Sequence, residues 1–261
     1  MKLIVLGSTD ISVSRIGLGT VKFGRNEQVK YPTPFELPTD KHLLNLLACA
    51  QDLGVNLLDT APAYGASEER LGHLLKGRRQ QWILTTKVGE EFQNGKSFFD
   101  FSEQGIINSV ERSLKRLKTD YLDIVLVHSN GDDKKIIEEN NVFQVLQNLK
   151  TRGMVRAFGM STKTVEGGFL TIDNADVAMV AHNPVHDEER SVIEYAQKKN
   201  KSIFIKKALA SGHLDKILAT DPVMYAMKFI FKEPGVNSVI VGTLNAEHLK
   251  HNVDCVEQAL S

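Results

Sequence analysis

Residues 82–128, opening with Trp82-Ile83-Leu84-Thr85-Thr86-Lys87 and closing with Ile124-Val125-Leu126-Val127-His128, hold the pattern on which the fold turns. Both ends are short apolar runs of strand length, each finished by a polar residue. Between them Ile106, Ile107, Val110, Leu114 and Leu117 form one apolar stripe at helical spacing. Ser102-Glu103 supplies a cap and a first-turn carboxylate ahead of that stripe. Strand, helix and strand in this order make a βαβ unit, whose two strands run parallel.

Further strands are expected at Ile16–Gly19, Asn56–Asp59, Arg156–Ser161, Val177–Val180, Ser202–Lys206 and Ser238–Val241. With Trp82–Lys87 and Ile124–His128 they number eight, which predicts a closed (β/α)8 TIM barrel of the α/β class. Leu43, Leu46, Leu47 and Ala50 give another helical stripe after Thr39. The seventh unit is the faintest: Ser211 to Thr220 reads as loop, with a helix starting near Asp221-Pro222. Ahead of the barrel, Lys2–Leu6 and Ser12–Arg15 flank Gly7-Ser8-Thr9-Asp10 and read as an N-terminal β-hairpin that plugs one mouth. Between Thr20 and Thr39 runs a long loop with Phe23, Arg25, Tyr31, Phe35 and three prolines, expected to act as a lid. No repeat beyond the βα unit and no linker interrupts the pattern, so residues 1–261 are expected to form a single domain.

The 32 lysines and arginines equal the 32 aspartates and glutamates, so no net field draws the chain to nucleic acid or to an anionic membrane surface. A small ligand fits better. Cys49 and Cys255 stand far apart with no paired spacing and read as reduced packing residues. The first apolar run, Leu3-Ile4-Val5-Leu6, is shorter than a signal core, and no later run nears the ~20 apolar residues of a membrane span. A cytoplasmic protein, monomeric or weakly homo-oligomeric, is the expectation.

Three familiar motifs fail. Gly17-Leu18-Gly19 is followed by Lys22 where a dinucleotide fingerprint needs its third glycine. Gly19 to Gly24 has P-loop spacing, but Arg25-Asn26 replaces the lysine and hydroxyl residue. His182 and His186 are four apart, yet Asn183-Pro184 between them opposes a helix, so no metal site is expected.

Barrel chemistry sits at the carboxyl ends of the strands. Asp59 ends the second strand with Tyr64 in the loop beyond it, Lys87 ends the third and His128 the fourth. Singly these are a helix cap, a mouth ion pair and a core histidine; together they form a proton-transfer device. A phenol of ordinary pKa ~10 is a poor acid at neutrality, and a neighbouring ammonium is expected to lower that value. Asp59 is placed to keep Lys87 charged and oriented.

At Asp59, Tyr64, Lys87 and His128 the sequence resembles the aldo-keto reductase family, in a bacterial-type form with a short C-terminus. Leu57 to Gly65, then Ser67-Glu68 and Leu71-Gly72, resembles its most recognisable segment, and Leu126-Val127-His128 its histidine strand. The resemblance implies hydride transfer from a nicotinamide to a carbonyl carbon, with Tyr64 protonating the oxygen, His128 orienting it and no metal. Phe23, with Tyr64 and His128, would meet substrate. It also implies a cofactor path past Asp59: Gly19, Thr20 and Val21 under the nicotinamide ribose, Ser161 on the carboxamide, Leu209 and Ser211 along the pyrophosphate. Gly242, Thr243, Asn245, His248 and Asn252 resemble the adenosine-phosphate segment, where a helix N-terminus suits an anion.

The departures are informative. Thr162 replaces an asparagine, Met179 a glutamine and Lys206 the aromatic that stacks on the nicotinamide. His248 stands in place of the basic 2′-phosphate ligand, and Gly242 where some members have lysine. NADPH/NADP is the expected cofactor, with NADH/NAD usable too. The partner is a small carbonyl or alcohol, a sugar included. Two other readings stay open: a Schiff-base lyase using Lys87 or Lys206, and a nucleotide-binding barrel that regulates a partner without turnover.

Overall fold

In the computed structural model, which describes residues 1–261, eight parallel strands close into a barrel. Twelve strands occur in all: β1 (Leu3–Val5), β2 (Ser12–Ser14), β3 (Ile16–Gly19), β4 (Leu57–Asp59), β5 (Ile83–Val88), β6 (Glu90–Gln93), β7 (Lys96–Phe99), β8 (Leu122–His128), β9 (Val155–Ser161), β10 (Val177–Ala181), β11 (Ser202–Lys206) and β12 (Val236–Val241). The barrel runs β3-β4-β5-β8-β9-β10-β11-β12 and back to β3. Every expected barrel strand is present, with ends shifted by a residue or two where fraying backbone carries no side-chain signal.

The period of two decides which side chains face the lumen. Leu57, Ile124, Leu126, Ala157, Val177, Met179 and Phe204 cluster inside the barrel. Their neighbours Leu58, Val125, Val127, Phe158, Ala178, Val180, Ile203 and Ile205 join the larger core beneath the helices. Asp59, Lys87, His128, Ser161 and Lys206 are in phase with the inner set, so the same alternation that fills the barrel aims them at its mouth. Gly17 is also in that phase, and a Cβ there would come within 2.8 Å of Ile240 and 2.9 Å of Leu57, so only glycine fits the narrow interior.

Helices cover the outside as the stripes require. Thr39 caps Asp40–Asp52 by accepting from His42 N, Ser102 caps Glu103–Leu117 by accepting from Gly105 N, and Asp221 caps Pro222–Ile230 by accepting from Met224 N. Each such cap contributes about 1 kcal/mol. The faint seventh unit holds two 3-10 turns, Ala210–Gly212 and Leu214–Lys216, before that last helix.

At the amino ends of the strands, β1 and β2 pair antiparallel, and Leu6, Ile11 and Val13 pack with the lumen residues as a plug. At the opposite end a second hairpin, β6–β7, rises directly from β5. It is absent from the sequence expectation, which ran Lys87 on to the helix at Ser102. Its turn, Asn94-Gly95, holds both residues at positive φ (50° and 74°), the geometry that suits the right-handed twist of a two-residue hairpin.

Candidate active site

The centre of the mouth is an ion pair. Lys87 Nζ donates to Asp59 Oδ1 at 2.6 Å and to the Thr60 carbonyl at 2.9 Å, and both charged side chains are buried. Register makes this possible: Asp59 pairs with Thr85, which leaves Lys87 one inward position further along the neighbouring strand.

Tyr64 ends a single 3-10 turn, Pro62–Tyr64, whose first residue is a proline suited to that position. Gly65 follows at φ +60° and lies so close to Gly24 that a Cβ would sit 3.0 Å from its carbonyl carbon. That contact presses the tyrosine loop onto the Val21–Gly24 helix. The Tyr64 ring has Lys87 Nζ 4.9 Å from its centroid and His128 edge-on at 6.3 Å.

The ammonium was expected to lower the pKa of the Tyr64 phenol, but in the free protein the shift runs upward. Burial, reinforced by the negative charge of Asp59, raises it well above the ordinary value, and only Arg25 opposes. Lys87 sits against Asp59 at 2.6 Å, and with the carboxylate that close the ammonium does not reverse the upward shift. The Tyr64 phenol therefore keeps its proton across the neutral range.

His128 Nδ1 lies 2.6 Å from Glu90 Oε2. Burial lowers the imidazole pKa, Glu90 counteracts this, and Lys87 and Lys206 depress it further. Burial would push the Glu90 carboxyl up, but His128, Ser97 and Arg25 outweigh it and hold the group at about 2. Lys206 donates to Ser161 Oγ at 2.9 Å and to the Thr162 carbonyl, and burial pulls its pKa down to about 8.

A cleft of about 1400 Å³ runs from this cluster across the mouth. Gly19, Val21, Ser161, Lys206, Leu209, Ser211, Gly242, Thr243, His248 and Asn252 line it together with Asp59, Tyr64, Lys87 and His128, as the sequence arranged them. Three expected residues are not brought there. Phe23 is turned by the Val21–Gly24 helix into the main core, fully buried, so substrate contact by its ring is corrected to packing. Thr20 is buried behind the cleft, donating to the Asp59 carbonyl at 3.0 Å and accepting from Ser67 Oγ at 2.8 Å. Asn245 caps the Ala246–Leu260 helix by accepting from Glu247 N and His248 N. Conversely, Glu90, Lys22 and Tyr31 line the cleft without having been singled out. Lys22 Nζ sits 4.2 Å above the Tyr31 ring, and Tyr31 meets Phe35 edge-on at 5.7 Å, so the lid loop folds on itself over the opening.

The residues present suit an elongated polyanion. Lys22, Lys206, Lys207 and His248 line the cleft, and burial lowers the three lysines' pKa values, an environment that an anionic guest would relieve. Gly242 keeps the wall flat, since a Cβ there would reach within 2.8 Å of Tyr31 Oη. Of the two histidines set aside above, His182 is fully buried against the Phe229 ring, 4.9 Å between centroids, and His186 pairs with Glu188.

The aldo/keto reductase family model matches residues 15–225. The chain is 34% identical over 221 residues to "Aldo-keto reductase YhdN" of Bacillus subtilis (strain 168), covering 82% of this chain and 64% of that one. It is 34% identical over 172 residues to the "NADH-specific methylglyoxal reductase" of Escherichia coli (strain K12), covering 61% and 51%. In both cases the match spans less than two thirds of the relative's length. The crystal structure of PA4992 from Pseudomonas aeruginosa superposes with a TM-score of 0.91 at 49% identity, covering 99% of this chain and 95% of that one.

Proposed function

We propose, on the premise that this chain belongs to the aldo/keto reductase family and so to the nicotinamide-dependent oxidoreductases, that it interconverts a small aldehyde, ketone or sugar and its alcohol with Tyr64 as general acid. The observation that carries this reading is the Tyr64 ring placed between a buried Lys87–Asp59 pair and His128, at the end of a cation-lined cleft. When bound, the nicotinamide supplies the hydride. The protein's own part is proton delivery and exclusion of water.

Burial keeps the phenol proton in place until a carbonyl oxygen accepts it. As negative charge grows on the tyrosine oxygen, the Lys87 ammonium, fixed by Asp59 and the Thr60 carbonyl 4.9 Å from the ring, opposes it together with Arg25. Gly19, Val21, Ser161, Leu209, Ser211, Gly242, Thr243, His248 and Asn252 would hold the dinucleotide, with NADPH and NADH both usable because residue 248 is a histidine in place of a fixed cation. Use of NADH is supported by the name of the E. coli relative. We place the protein in the cytoplasm, acting on small molecules as a monomer or weak homo-oligomer.

The test is nucleotide absorbance with both cofactors across panels of aldehydes, ketones and sugars. Turnover with at least one compound supports the reading; nucleotide binding without any turnover would favour a regulatory barrel. One feature favours a second reading: Lys206 ends β11 inside the cleft, and burial draws its pKa down to about 8, so a minor neutral fraction could attack a carbonyl. Borohydride trapping of substrate on the protein separates that lyase chemistry from reduction.

A further inference from the structure

The last two helices meet beside the cleft. Asp221 is the N-cap of Pro222–Ile230, its Oδ1 accepting from Met224 N at 3.0 Å. His251 and Cys255 stand four apart on Ala246–Leu260, so both side chains leave one face of that helix. The two helices pack against each other, and the packing brings these three side chains to one point. Asp221 and His251 are half-exposed and line the cleft next to His248 and Asn252, while Cys255 is buried behind them.

The three share a single nitrogen. His251 Nε2 lies 3.2 Å from Asp221 Oδ2 and 3.6 Å from Cys255 Sγ, and the oxygen and sulfur are within 4.8 Å of each other. A carboxylate that pairs with an imidazolium for its own sake closes to about 2.7–2.9 Å, so this pair stands wide. Tetrahedral zinc has bonds of ~2.0 Å to oxygen, ~2.05 Å to nitrogen and ~2.3 Å to sulfur, which sets oxygen and nitrogen about 3.3 Å apart and nitrogen and sulfur about 3.6 Å apart. The two separations at His251 match those two edges. One oxygen, one nitrogen and one sulfur also suit zinc, whereas calcium and magnesium take oxygen donors.

We propose that Asp221, His251 and Cys255 form a binding site for one zinc-class divalent ion, with its fourth coordination position open to the cleft. Two of the ligands border the opening and the thiol closes the back, the plan of a three-ligand site that leaves one place for water or a guest. Burial and the charges of Asp221 and Asp254 push the thiol up to about 11, so the ion displaces a proton from sulfur as it binds. Once bound, it ties the start of Pro222–Ile230 to the middle of Ala246–Leu260 and stiffens that wall of the cleft. The site is separate from proton transfer at Tyr64 and does not depend on it.

The test uses the whole chain, freed of metal with a chelator, and the metal ions alone as probes. Cobalt(II) should bind one ion per chain and give the intense visible bands of a tetrahedral site with a thiolate-to-cobalt band in the near ultraviolet. Cys255→Ser should abolish the thiolate band and weaken zinc, measured against a chromophoric chelator, by roughly 100-fold or more. Cys49→Ser should leave both unchanged. Because Cys255 is buried, the half-exposed ligands supply the second arm: His251→Gln and Asp221→Asn, which keeps the helix cap, should weaken zinc and remove the rise in Tm that zinc gives the wild type. Absence of stoichiometric binding, an octahedral cobalt spectrum without a thiolate band, a band that survives Cys255→Ser, or a zinc affinity indifferent to His251→Gln would each overturn the proposal.

Discussion

Lys87 Nζ lies 2.6 Å from Asp59 Oδ1 across two neighbouring barrel strands, with both side chains almost wholly shielded from solvent. Removing one partner of such a pair strands the other as a buried charge, which costs about 3–5 kcal/mol, whereas removing both can be close to neutral. Lys87→Leu should therefore lower the stability measured by urea unfolding by an amount in that range. The double variant Asp59→Leu/Lys87→Leu should recover most of it. A single variant as stable as the wild type would show that the pair is hydrated in solution.

Tyr64→Phe deletes a hydroxyl and little else of the cleft. Turnover should fall by ~100–10,000-fold, the usual worth of a general acid, while nucleotide affinity by fluorescence titration stays within a few-fold. Because burial and Asp59 raise the phenol's pKa, the tyrosinate ultraviolet band of this residue should not appear below pH 10, and Lys87→Met should move it further up.

Lys206 titrates at about 8 in the fold against the ordinary 10.5, so between those values the unfolded chain binds a proton that the folded one lacks. Stability should accordingly rise with pH through that window. A Lys206→Met variant should lack this component when thermal unfolding of the two proteins is compared from pH 7 to 11. Nucleotide affinity of the wild type should weaken over the lower part of the same window, as the cleft loses a cation.

Cofactor choice should follow residue 248. His248→Arg offers a fixed charge and a planar fork to a 2′-phosphate and should tighten NADPH by roughly tenfold with little change for NADH. His248→Ala should weaken NADPH alone. The ratio of the two dissociation constants reads both, and a ratio indifferent to this residue would move the phosphate to Lys250, Arg25 or Lys207.

Much of the site was legible because inward and outward residues alternate on the barrel strands that carry it. Asp59, Lys87, His128, Ser161 and Lys206 each end a run whose parity is set by buried neighbours. Where the chain leaves the strands that logic lapses. Val21–Gly24 is one helical turn, too short to show periodicity, and it swings Phe23 into the core. The β6–β7 hairpin is partly exposed and alternates weakly, so it passed as a connection although Asn94-Gly95 is a strong hairpin signal. With it went Glu90. The direction of the Tyr64 shift depended on burial of the phenol beside Asp59, which spacing in sequence does not reveal.

The N-terminal hairpin makes the barrel a blind alley. Leu6, Ile11 and Val13 stop its far end, and Met179, which packs with them, is also part of the cleft wall. Everything that reaches Tyr64 must come and go by one doorway. Traffic through a single door queues: the guest lodged against the floor enters first and departs last, and whatever sits above it seals it in. For a dinucleotide running to the strand ends with a small substrate arriving over it, steady-state kinetics should be ordered, with product escaping before the spent nucleotide can follow.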